Sequence, residues 1–267
     1  MGNGNLKLGM GHLLMWMILL LFGSLPAYGG EQARVLNPEN GAEKTFHYVA
    51  KKLGLPILKA TIRIGNGYSG QGKNLHKIEA QVISLKVPGF MFRMNNRFTS
   101  VLEMSSFSPM RYVKKIDQEG LFIQRKNYSE TITFDSILHK ATIEKKVTGE
   151  KREVFFPSQT YDPLAMFARY HLREDLSPDQ EVRMSIFDGI KFREMVFHSK
   201  RSRVKSKVLG EVDAVCLEST TAFSSFGEKE GNIRIWYTAD VDKIPISLEL
   251  DLPVGMVRFE LEGIREG

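Results

Sequence analysis

A chain of 267 residues with 42% hydrophobic and 25% charged residues has enough apolar surface for a sizeable core, which excludes a disordered or low-complexity protein. Its net charge of +6 permits contact with an anionic surface without demanding it. The single cysteine, Cys216, excludes an internal disulfide and sits among alternating residues, as a buried small apolar side chain would.

The first element is a leader. Lys7 precedes an apolar run at 13–22 (LLMWMILLLF), and a small-residue stretch at 23–29 places Ala27 and Gly29 at the −3 and −1 positions of a cleavage site. This is the pattern of a secretory signal peptide over 1–29, and it predicts export to a bacterial periplasm. The run is too short to span a bilayer comfortably, and no later run approaches transmembrane length, so no transmembrane segment is expected after cleavage. Residues 30–44 read as a flexible start to the mature chain, and 45–267 as a single β-sheet domain.

The domain is read mainly from period-two alternation. Phe46, Tyr48 and Ala50 alternate, which favours a strand over the helix that propensity alone would allow. Strands follow at 57–64 and 75–86, and, after a Met- and Phe-rich stretch at 90–96, at 98–104, 110–117, 121–125, 129–135, 141–147 and 153–156. Turns are expected at Gly54, across the glycines of 65–72, and at 118–120. Asp162 before Pro163 is a helix start, and Leu164, Phe167, Ala168 and Leu172 share one face at helical spacing. Strands resume at 181–187, 191–198, 203–209 and 214–221. A closing meander at 231–263 carries Ile233, Ile235 and Tyr237, then Ile246, Leu248 and Leu250, then Val257, Phe259 and Leu261 on alternate positions. The pattern predicts an all-β, mainly antiparallel protein: one sheet of roughly ten to twelve strands, curled or closed to an open barrel because long twisted sheets do not stay flat, with one short helix packed against it.

Local motifs are weak. Gly65, Gly67 and Gly70 spell GxGxxG, but a strand follows where a dinucleotide site needs a helix, so a hairpin turn is the better reading. His47, His76, His139, His171 and His198 show no metal spacing, and no metal or cofactor is expected. Asp240 and Asp242 beside Pro245 read as a solvated turn rather than an acid–base pair.

The sequence resembles the bacterial exported-protein family named domain of unknown function 3108. The resemblance rests on the Tyr48 strand with GLPILKA at 54–60, DPLAMF at 162–167 with Leu172 and Arg173, IWYTAD at 235–240 followed by KIPI at 243–246, and GMV at 255–257. It spans nearly all of 45–267, in order and spacing more than in long identity. It implies an exported, mostly β protein with no catalytic residues to transfer. At the level of fold, the expected sheet is loosely similar to the half-open barrels of periplasmic lipoprotein and lipid carriers.

Two stretches are candidate sites. Met and Phe crowd into 90–110, and Phe90, Phe92, Met94, Phe98 and Met104, with Phe167 and Trp236, are the expected lining of an apolar cavity on the concave face, with a hinge at 87–89. Arg201, Arg203, Lys205 and Lys207 share one face of a strand and form a patch for an anionic surface, or a solvated outer face. Nucleic acid is not an expected partner, because no stacking aromatics accompany the charges. The leading expectation is non-catalytic binding of a lipid or other apolar small molecule. The alternative is a structural or interaction module that meets an envelope protein. A hydrolase would require a cleft where histidines and carboxylates converge.

Overall fold

The structure, a computed structural model, describes residues 43–52, 54–70, 73–85, 92–120, 123–172, 177–223, 229–251 and 256–267. The leader at 1–29, the hinge at 87–89 and Phe90 lie outside the described residues.

Alternating burial makes the strands. In β1 (Lys44–Lys52), Phe46, Tyr48 and Ala50 are buried and their neighbours half exposed, so one face of the strand meets a core. The same rule runs through β2 (Leu55–Gly70), β3 (Lys73–Ser84), β4 (Phe92–Glu103), β5 (Pro109–Gly120), β6 (Ile123–Asp135) and β7 (Lys140–Lys145), whereas the edge strand β8 (Lys151–Phe155) buries none of its residues. After the short β9 (Thr160–Tyr161) and helix α1 (Pro163–Leu172) come β10 (Glu181–Phe187), β11 (Phe192–Ser206), β12 (Gly210–Phe223), β13 (Lys229–Thr238), β14 (Pro245–Asp251) and β15 (Val257–Glu266).

The described strands form one 15-stranded sheet, in the order β8-β7-β6-β5-β4-β3-β2-β1-β15-β14-β13-β12-β11-β10-β9. Neighbours are antiparallel except β9 and β10, which run parallel. Two meanders therefore meet at the centre, where β1 pairs with β15 from Lys44 opposite Glu266 to Lys51 opposite Arg258.

This order forces the sheet to curl. The fifteen strands laid flat would span about 67 Å. Yet β8 and β9 hold opposite edges, and the connection from Phe155 to Thr160 reaches at most about 18 Å. The edges must come together, and side chains rather than a backbone ladder join the two ends. Lys114 Nζ of β5 donates to the Asp188 carbonyl in the β10–β11 turn at 2.6 Å, Arg152 of β8 donates to the Gly189 carbonyl, and Phe134 of β6 meets Phe187 of β10 edge-on.

The expected class is therefore present: a long, curled, mainly antiparallel sheet with one helix among the described residues. The sheet is larger than the ten to twelve strands expected. The glycines of 65–70 do not turn the chain; β2 runs through them, with a register shift between Gly65 and Tyr68. A bulge absorbs the irregularity that glycine permits. The basic run at 200–206 carries no Gly or Pro, and β11 continues through it as one strand.

α1 starts as expected. Asp162 Oδ1 accepts the N–H groups of Leu164 at 2.9 Å and Ala165 at 3.0 Å, and Pro163 occupies the first turn, where its missing N–H is harmless. The helix is apolar almost all round: Leu164, Ala165, Met166, Phe167, Ala168 and Tyr170 are buried. Such a helix belongs inside a core. It touches β3 and β4 of one meander and β10 of the other. Tyr237 OH of β13 donates to the Phe167 carbonyl at 2.7 Å, and the His171 ring packs edge-on against Phe46.

Candidate functional site

The concave face is where a cavity was expected, and its contents follow from strand parity. Tyr112, Lys114, Ile116 and Gln118 of β5 all point inward. So do Met94, Asn96, Phe98, Ser100 and Leu102 of β4, and Glu130, Ile132 and Phe134 of β6. Met94, Phe98 and Phe167 come together in one core cluster with the helix, and all are buried. Met104 lies just past the end of β4, half buried. Phe92 begins β4, its side chain outside the described residues.

Trp236 is elsewhere. Its neighbours Ile235 and Tyr237 face the core, so Trp236 faces the convex side. There it packs against Val204, Ala214 and Ile246, with the Arg258 guanidinium 5.6 Å from its ring centroid. Its expected place on the concave wall is thus corrected by the period of its own strand.

Sequence reasoning missed a polar cluster at the seam. Lys114 is 1% exposed, and Nζ lies 2.9 Å from Glu130 Oε2, its partner across the β5–β6 ladder. Asp188 is also buried. Its Oδ1 accepts the N–H groups of Ile190 at 2.8 Å and Lys191 at 3.0 Å, and Oδ2 accepts Arg193 Nη1 at 3.1 Å. The sequence did carry a signal: Lys114 falls between Tyr112 and Ile116, at inward parity. Gly189, at φ +91°, permits this close approach, since a Cβ there would lie 2.6 Å from Ile132 Cδ1 and 3.0 Å from Lys114 Nζ.

Asp162 is a second buried acid. Ser100 Oγ donates to its Oδ2 at 2.6 Å. Burial pushes its carboxyl up to about 6, against the pull of the Ser100 and backbone hydrogen bonds. Burial pulls the His76 imidazole down to about 4 and pushes the Cys216 thiol up to about 11, which disfavours the thiolate of this buried side chain.

The convex face is ordered by charge. An alternating ladder crosses six strands: Lys200 of β11 meets Glu218 of β12 at 3.1 Å, Glu218 meets Arg234 of β13 at 2.7 Å, and Arg234 meets Glu249 of β14 at 2.8 Å. It continues through Arg258 at 4.0 Å to Glu260 at 3.7 Å on β15, and ends on Lys51 of β1. These side chains form a connected network, the arrangement in which partly exposed pairs matter most. The 201–207 patch is less basic than its sequence: Arg203 lies 3.6 Å from Glu211 and 3.9 Å from Asp213, and Lys207 is held by Glu262 at 2.7 Å. Arg201 and Lys205 are exposed.

A broad groove of 630 Å³ lies beside the start of β10, lined by Asp179, Glu181, His198, Lys200 and Glu218 among others. Two of its carboxylates are engaged: Glu181 by Arg183, and Glu218 by Lys200 and Arg234. Among the described residues, no group of three His, Cys, Asp or Glu could hold a metal ion, and no helix is long and apolar enough to cross a membrane.

These features define an open, barrel-like protein: one curled, mainly antiparallel sheet, its two ends bridged by side-chain contacts, with a helix in its concavity. The chain belongs to the family described as a protein of unknown function, DUF3108, whose model matches residues 45–262. Its fold is similar to that of a crystal structure of a β-barrel-like protein of domain of unknown function DUF1849 from Brucella abortus, at 11% sequence identity and a TM-score of 0.56, covering 85% of this chain and 98% of that one. No curated protein matches.

Proposed function

We propose that this chain is an exported, non-catalytic module of the bacterial envelope that binds a protein partner, and that its concave face serves as a core. One observation carries the choice: Met94, Phe98 and Phe167, expected to line an apolar cavity, are packed into one core with α1. A filled concavity suits a scaffold better than a carrier. The partner surface is drawn from the sheet edges. β9 is two buried residues, whereas β8 is exposed at four of five positions, with Phe155 77% exposed. Ile137 and Leu138, in the neighbouring turn, are exposed as well. A strand edge of this kind is a template for an extended segment of another protein, and Lys151, Arg152 and Glu153 guard it against indiscriminate pairing. The leader over 1–29 supports action in the periplasm.

A lipid carrier is the second reading. It is favoured by the seam, where side chains alone join the two ends of the sheet, and by α1 as a removable plug. Native mass spectrometry of the protein recovered from periplasm separates the two. The module reading expects a mass without ligand. A bound mass of lipid size, lost on Phe167→Asp while the fold survives, overturns it in favour of the carrier. A photo-crosslinker at Phe155 in intact cells is expected to give an adduct with a defined envelope protein. Phe155→Lys should abolish the function of that pair without lowering the melting temperature. A monodisperse monomer with no adduct sinks the module reading.

A further inference from the structure

The far end of β11 does something a flat sheet cannot. β11 and β14 are three strands apart in the sheet order, which on a flat sheet sets them about 14 Å apart, and β15 about 19 Å. Yet Val204 of β11 packs with Ile246 of β14, and Lys207 Nζ reaches both Glu262 carboxylate oxygens of β15 at 2.7 and 2.9 Å. The tip of the β11–β12 hairpin is folded back over the convex face, on the side away from the core. Ile246 is the extra residue of a bulge, since Trp236 lies opposite Ser247 while Tyr237 lies opposite Pro245. Bulges bend sheets in this way.

Between the folded tip and β14–β15 is a cavity of 220 Å³. Val204 and Ile246 form an apolar side, while Lys205, Ser247, Arg258 and Glu260 line the rest. Two donors there lack acceptors. Ser247 is 3% exposed and its Oγ has no hydrogen-bond partner. Arg258 Nε is shut from solvent and likewise has none, with Glu260 Oε1 3.7 Å away. A buried donor left unsatisfied is unfavourable and invites an acceptor. Lys205 adds a positive charge at the mouth.

We propose that this cavity is a binding site for a short aliphatic carboxylate. The carboxylate accepts from Ser247 Oγ and Arg258 Nε, and the chain lies against Val204 and Ile246. A monoanion fits better than a phosphate dianion, because Glu260 also lines the cavity and already shares the charges of Lys51 and Arg258. The volume is below that of pockets for drug-sized ligands, which limits the chain to a few carbons beyond the head. The site is separate from the concave face and from the β8 edge, so it stands whether or not the module reading does.

The test is a titration of the protein, recovered from an exporting host, with hexanoate, and in parallel with hexanol and with inorganic phosphate. It is followed by backbone amide and Trp236 indole NMR shifts. Hexanoate is expected to bind saturably and to shift Val204, Ile246, Ser247 and the Trp236 indole. Ser247→Ala is expected to weaken it about tenfold, the loss of one hydrogen bond to a charged group, with the ladder left in place. Lys205→Gln, at an exposed position, is expected to weaken it about threefold without affecting folding. Equal binding of hexanol would remove the carboxylate from the assignment, and equal binding of phosphate would remove the aliphatic stem. No saturable shift at these residues, or unchanged affinity in Ser247→Ala, would overturn the site.

Discussion

Asp162 performs two tasks that pull against each other. It caps α1 and accepts from Ser100, which favours the carboxylate, yet full burial raises its pKa to about 6. The unfolded chain loses this proton near the ordinary carboxylate value of about 3.9, so between about pH 4 and 6 the folded state binds more protons than the unfolded one, and stability falls as pH rises, by ~3 kcal/mol in all. His76 acts in the opposite sense. Burial lowers its pKa to about 4, so its contribution is fully present above about pH 6.5 and is lost as pH falls toward 4. Asp162→Asn keeps the cap and removes the first slope. The unfolding free energy of this variant, measured in urea, is expected to rise with pH between about 4 and 6.5 more steeply than that of the parent. Identical slopes in the two proteins would refute the raised pKa. Gly189 is constrained differently, by space and by φ together. Gly189→Ala drives a Cβ into Ile132 and Lys114, and a loss of ~1–3 kcal/mol is expected from the shift in urea midpoint. A neutral effect would mean that the β10–β11 turn does not press on the inner face of β5 and β6.

At the scale of elements, α1 was legible because its signals are local: an acidic cap, a proline in the first turn, and helical spacing. Its depth was not, because spacing reported one apolar face at Leu164, Phe167, Ala168 and Leu172, while Ala165, Met166 and Tyr170 are buried too. Small and amphipathic residues do not announce burial. The strands were legible from alternation for the same local reason, but which strand faces which is set by the whole order. Trp236 shows the consequence: it was grouped by residue type with core aromatics, though its parity placed it outside. The Lys114–Glu130 pair shows the reverse, polar residues at inward parity that composition assigns to the surface. Removing one partner strands a buried charge, so Lys114→Met is expected to destabilise by ~3–5 kcal/mol. Lys114→Met with Glu130→Leu replaces the pair with apolar groups and is expected to recover at least half of that loss in urea unfolding. Strictly additive losses would show that the two side chains contribute separately and that the pair does not act as a unit.

For the whole molecule, the defining contact is the pairing of β1 with β15. It joins the two meanders, and it also brings residue 43 beside residue 267, where the Gly267 N–H donates to the Glu43 carbonyl at 2.8 Å. Every other strand pairing among the described residues is made by a neighbour in sequence, so each meander can zip locally. The central pairing cannot, since it closes a loop of most of the chain and pays the largest loop-closure entropy in the fold. It must also form with the sheet already curled, because the short β8–β9 connection ties the outer edges together. These two demands make β1–β15 pairing the expected slow step. A circular permutant tests this. Residues 267 and 43 are joined by a short flexible linker, and the chain is opened in the exposed β7–β8 turn, next to Val147. The permutation turns β1–β15 into a local hairpin and makes only the short edge pairing of β7 with β8 long-range. The permutant is expected to keep the far-ultraviolet circular dichroism of the parent and to refold faster, with most of the gain in the slowest phase. Refolding at the parental rate would place the barrier elsewhere, at the docking of α1 or the closing of the Lys114–Asp188 seam.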